Sequence, residues 1–141
     1  MSVDSVEDHL RWVPDIAEVA GVDVDFPIIA DEDRSVSQAY DMIHPGEGDT
    51  STVRSVFLID PSNTVRLTIT YPKSVGRNFT EILRALDALQ ATDRSPISTP
   101  AEWVPGDRVI VAPAIATDDA RERFANVDEV KPYLRFADAP A

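Results

Sequence analysis

The spacing of apolar and polar residues changes several times along this chain, and each change marks an element. After Ser5-Val6-Glu7-Asp8, a serine-x-x-acid helix start, Val6, Leu10, Val13 and Ile16 recur near helical spacing up to Gly21. Pro14 interrupts that run, which predicts two short helical pieces rather than one. Residues 27–30 form an apolar run suited to a buried strand, and Asp31, Glu32 and Asp33 close it as a solvated turn. Ser35 is the predicted cap of a short helix with Val36, Ala39 and Tyr40 on one side, and turn formers fill 41–51.

Around this centre the pattern is sharper. Residues 55–60 are mostly apolar, 61–63 make a turn, and 64–71 set Val65, Leu67, Ile69 and Tyr71 against Thr64, Arg66, Thr68 and Thr70. A continuous strand beside an alternating one predicts a central strand paired to an outer strand with one wet face. A helix over 78–91 follows, capped by Asn78 with Glu81 three residues on. Its stripe of Phe79, Ile82, Leu83, Leu86 and Leu89 should pack on the sheet. A polar break over 92–96 then leads into a proline-rich stretch with strands at 108–112 and 133–136 and a helix over 117–124. The organisation expected is an α/β domain over 1–92, a mixed sheet with flanking helices, and an extension over 93–141. Two strands and a helix cannot bury a core by themselves, so the extension should lie against the first part or another subunit.

Composition narrows the partners. The 141 residues are 43% hydrophobic, enough for a real core, and carry a net charge of −12. That charge disfavours nucleic acid and anionic membrane surfaces, and no local basic patch offsets it. There is no cysteine, which removes disulfides, zinc–thiolate sites and thiol catalysis by these residues. The opening MSVDSVEDHL lacks the basic start and apolar run of a secretory signal, and no window approaches the roughly 20 apolar residues of a membrane span. A cytoplasmic location is the default expectation.

Few side chains suggest chemistry. His9 and His44 invite a hydrolase or metal reading, yet His9 falls on a surface-type helix turn, His44 falls in a loop, and neither has a nucleophile elbow or metal-ligand spacing nearby. The acidic cluster at 31–33 lacks the spaced pattern of a calcium loop, and Pro45-Gly46-Glu47-Gly48 carries acids where a phosphate cradle wants backbone amides and a lysine. No metal or cofactor is expected. Arg54, heading an apolar strand, and Arg77, just before a helix cap, are different in kind: both can aim positive charge at one anion. A salt bridge to one of the many carboxylates is the competing reading for each.

A resemblance joins these features. The segments 2–12 (SVDSVEDHLRW), 26–31 (FPIIAD), 53–61 (VRSVFLIDP) and 71–84 (YPKSVGRNFTEILR), with TPAEW at 99–103, GD at 106–107 and KPYLR at 131–135, resemble the one-cysteine peroxiredoxins in order and spacing across essentially the whole chain. The resemblance implies part of a thioredoxin-like α/β fold plus that subfamily's dimerising C-terminal extension, a homodimer, and thiol-dependent reduction of hydrogen peroxide and organic hydroperoxides. In that chemistry a cysteine thiolate attacks the peroxide, becomes a sulfenic acid and is restored by an external thiol reductant. Arg54 matches the family's active-site arginine and Arg77 a second arginine of the same pocket. The family's Pro, Thr and peroxidatic Cys have no counterpart here, because Met1 falls where the family's middle strand is ending. No Ser, Thr or Met can stand in for a turnover thiol, so these 141 residues alone are expected to be inactive, and the uncovered apolar surface should favour self-association or a partner chain. The alternative is a non-catalytic dimerisation or binding module derived from such a protein.

Overall fold

The serine start and the glycine stop predicted for the first helix are both used. A computed structural model describes residues 1–44 and 52–140, so the glycine-rich loop at 45–48 lies outside the described residues. Helix α1, Val6–Ala20, begins at Ser5, whose hydroxyl accepts from the Asp8 amide at 3.1 Å. It ends at Gly21, whose φ of 67° is a left-handed value that a Cβ would strain. One helix stands where two pieces are predicted. Pro14 removes a single backbone donor, and the helix, capped at both ends, continues through it.

The run over 27–30 is not a buried strand. Ser2 and Ala30 form one isolated parallel bridge, closed by the Ser2 amide on the Ile29 carbonyl at 3.1 Å and the Asp31 amide on the Ser2 carbonyl at 2.8 Å, while Ile29 stays exposed. Of the acidic cluster, Glu32 and Asp33 form the exposed turn expected, but Asp31 is 2% exposed. Its carboxylate accepts from the amides of Val36 at 2.9 Å and Ser37 at 2.7 Å and from the Ser37 hydroxyl. Asp31, not Ser35, therefore caps helix α2, Ser35–Ala39, and Arg34 takes the left-handed N-cap position at φ 60°.

Burial acts to raise the Asp31 carboxyl's pKa, but the hydrogen bonds from Ser37 and Val36 outweigh it and hold the group below its ordinary value. A lowered folded value means the contribution is complete above the unfolded pKa of about 3.9 and is lost as pH falls through the folded one. Asp31→Asn should therefore lower the stability of the N-terminal unit at neutral pH and flatten its decline below about pH 4. Acid titrations of both proteins followed by circular dichroism check this, and parallel curves would refute it.

Strands β1, Arg54–Ile59, and β2, Val65–Tyr71, form an antiparallel pair in which Arg54 faces Tyr71, Val56 faces Ile69 and Leu58 faces Leu67. Asp60 shapes the turn, accepting from the Ser62 amide at 2.9 Å and the Thr64 amide at 3.0 Å, with Asn63 at φ 64°. Met42 ties α2 to this hairpin: its amide donates to the Ser37 carbonyl at 2.8 Å and its carbonyl accepts from the Val53 amide at 2.9 Å. Tyr40 meets Phe57 edge-on, ring centres 4.9 Å apart. All of this belongs to one compact unit, Met1–Arg77. Among its described residues only Met42 and Val53 are buried apolar side chains, and Leu10, Trp12, Val19 and Phe26 remain exposed.

The second unit, Asn78–Ala141, is better filled. Helix α3, Phe79–Arg94, is capped by the Asn78 side chain, which accepts from the Glu81 amide at 3.2 Å. Ile82 and Ala85 are buried on α3, whereas Phe79 and Leu83 of the expected stripe are exposed. Then come β3, Ile97–Ser98; β4, Val109–Val111; α4, Thr117–Arg123; β5, Asp128–Lys131; and β6, Leu134–Ala137. The strands make an antiparallel sheet in the order β3-β4-β6-β5. The extension over 93–141 holds four strands rather than the two expected, and it lies against α3 of the first part, as expected: Ala88 and Ala91 pack on Ile97, Trp103 and Val109. Val109, Val111, Ala120 and Ala137 are fully buried, and Trp103, Ile97 and Phe124 pack with them. Arg135 is also buried, its guanidinium donating to the carbonyls of Ala112 and Ile115, which joins β6 to the segment before α4.

Candidate functional site

Two element boundaries in the first unit place the two arginines. Arg54 is the first residue of β1, and its Nε donates to the Lys73 carbonyl at 3.2 Å, which fixes the root of the guanidinium and leaves its outer nitrogens for other acceptors. Arg77 ends the loop after β2, immediately before the Asn78 cap. Both line one cleft of about 380 Å³, with Tyr40, Met42, Ser55 and Phe57 among its other walls.

Both side chains are exposed, so the cost of burying a strand-head arginine does not arise. Among the described residues no carboxylate pairs with Arg54 or Arg77, so the competing salt-bridge reading finds no partner there. In a chain of charge −12 this is a local concentration of positive charge, and two forked donors beside apolar walls suit a small anion or a polarised oxygen pair.

The histidines do something else. His9 is 7% exposed rather than on the surface, and its Nε2 lies 2.6 Å from the Ser2 hydroxyl. That hydroxyl gives its proton to Asp4 at 2.7 Å, so His9 must donate to Ser2, and a histidine that donates cannot act as base toward the same serine. His44 contacts the Asp41 carbonyl at 3.1 Å. Neither histidine lines the arginine cleft. Among the described residues no group of His, Asp and Glu is arranged to hold a metal ion, and no helix is long and apolar enough to cross a membrane.

Sequence reasoning missed the cleft's walls. Tyr40 is legible only as helix packing, and Met42 falls in a stretch read as turn formers, with no periodicity to single it out. Its one mark in the sequence is elemental, since it is one of two sulfur-bearing residues.

Residues 1–68 match the AhpC/TSA family, and residues 88–126 match the C-terminal domain of 1-Cys peroxiredoxin. A 1-Cys peroxiredoxin of Dictyostelium discoideum is 49% identical over 99% of this chain. The solved yeast mitochondrial 1-Cys peroxiredoxin, described with thiol resolution through glutathione and thioredoxin systems, superposes with a TM-score of 0.87 at 47% identity, covering 96% of this chain and 67% of that one. A peroxiredoxin 6 of Arenicola marina gives 0.89 at 41% identity, covering 99% and 68%. The chain shares the α/β, thioredoxin-like fold of these proteins. It spans 58% of the Dictyostelium relative's length.

Proposed function

Because this chain belongs to the AhpC/TSA family of peroxiredoxins, we propose that it is the arginine-bearing portion of a thiol-dependent peroxidase acting on hydrogen peroxide and organic hydroperoxides. The observation that supports this most directly is the convergence of Arg54 and Arg77 on one cleft. In this reading Arg54 donates to the peroxide oxygens and to the attacking thiolate, lowering the thiol's pKa by favouring its charged form, and Arg77 adds a second positive charge. The thiolate comes from outside these 141 residues, which hold no cysteine. An external thiol then reduces the sulfenic acid, and the glutathione and thioredoxin systems named for the yeast relative are the candidate class.

The working form in this proposal is a homodimer. The large apolar side chains left exposed on α1 and at Phe26 support an association surface.

The purified 141-residue chain should show no thiol-peroxidase turnover above a buffer blank. Joining it to the cysteine-bearing portion of a 1-Cys relative should restore turnover. Steady-state assays with a thiol reductant decide both points. Turnover by the chain alone, or a well-folded joined protein that stays inactive, would overturn the reading.

A further inference from the structure

Every sulfur atom of this chain is at the arginine cleft. The two methionines are its only sulfur-bearing residues, and Met1 and Met42 both line the same walls as Arg54 and Arg77. Met1 is exposed, whereas Met42 is 9% exposed and fixed through its backbone between α2 and β1. We propose that Met42 is an oxidation site for hydroperoxides held in this cleft, its thioether being converted stoichiometrically to the sulfoxide. The inference rests on the reading of the cleft as a peroxide site.

The step balances without any further reagent. A lone pair on the Met42 sulfur attacks the distal peroxide oxygen, an S–O bond forms, and the O–O bond breaks with its electron pair leaving on the proximal oxygen. The proton of the distal oxygen passes through water to that departing oxyanion, so thioether plus hydroperoxide gives sulfoxide plus alcohol, or plus water when the peroxide is hydrogen peroxide. Sulfur is oxidised by two electrons and the peroxide is reduced by two. Negative charge develops on the departing oxygen, where a guanidinium already in place is most effective. A thioether has no proton to lose, so the rate does not follow pH as a thiolate reaction does.

Burial normally protects a methionine, and that makes the proposal testable. The sulfoxide adds a polar oxygen to a side chain that shares its cleft with Val36 and Phe57, and methionine sulfoxide reductases reverse the change. The 141-residue chain is exposed to hydrogen peroxide or tert-butyl hydroperoxide with N-acetylmethionine amide in the same solution, and the gain of one oxygen at each methionine is followed by peptide mass mapping. Met42 should oxidise about tenfold faster than the free reference, a fraction of what one well-placed oxyanion donor contributes to an enzyme. The acceleration should vanish when urea unfolds the chain, and should fall in Arg54→Ala with its circular dichroism unchanged. Met42 oxidising no faster than the reference in the folded chain, or acceleration at Met1 alone, would overturn the proposal. A parallel measurement of Arg54→Ala in the joined, cysteine-bearing protein separates the two failures. If that variant loses peroxide reactivity while Met42 stays slow, only the methionine inference falls. If neither effect appears, the reading of the cleft falls with it.

Discussion

Arg54→Ala, made in a protein that joins these residues to the cysteine-bearing portion of a 1-Cys relative, is expected to lower the rate constant for peroxide reduction about 10²- to 10³-fold, the usual cost of removing one preorganised donor from a developing oxyanion. The geometry singles out Arg54 because it lines the cleft with its Nε already held by the Lys73 carbonyl, so its remaining donors can be engaged at little entropic cost. Two contributions are combined in that loss, thiolate stabilisation before reaction and oxyanion stabilisation during it. The pH profile of alkylation by iodoacetamide separates them, since that reaction needs the thiolate but not the peroxide contacts. Arg54→Lys keeps the charge and loses the planar fork, so it should restore the alkylation profile more fully than the peroxide rate. A peroxide rate unchanged in Arg54→Ala would remove Arg54 from the chemistry.

The largest effect on stability is expected at Trp103. It is 4% exposed and packs with Ile97 and Val109, with Ala88, Ala91, Phe124 and Ala139 around them. Its indole nitrogen donates to the Asp107 carbonyl at 3.2 Å, closing the turn before β4. Trp103→Ala should cost the C-terminal unit about 3–5 kcal/mol, the range for emptying a large aromatic from a core. Against the roughly 5–15 kcal/mol that holds a typical domain together, that leaves a small unit close to unfolding. Trp103→Phe keeps most of the volume and loses the hydrogen bond, so it should fall between the two. Urea denaturation followed by far-ultraviolet circular dichroism gives the comparison, and a shift under about 1 kcal/mol for the alanine variant would show that the cluster repacks.

The parts legible in the sequence were those with local rules. Ser5, Gly21, Asn78 and the Asp60 turn follow from capping and turn chemistry, and β2 follows from its alternation because one of its faces is wet. The errors have physical sources as well. Strand β5 is exposed at every position and β3 has two residues, so neither leaves a hydrophobic pattern, and without them the extension looked too small to hold a core. Asp31 looked solvated because acids usually are, and only the fold reveals two amides and a hydroxyl directed at it. Arg54 and Arg77 could be singled out because they sit at element boundaries, but their meeting on one cleft is tertiary. The residues that complete the cleft, Met42 above all, carry no local signal.

The chain's only two tryptophans lie in different units and in opposite environments, Trp12 on α1 at 54% exposed and Trp103 at 4%. Intrinsic fluorescence is thus a two-channel signal, a red-edge emitter for the N-terminal unit and a blue-edge emitter for the C-terminal one. Collisional quenchers in the solvent address the first channel before the second. Either unit can be watched through its own melting, ligand encounter or association without a foreign dye.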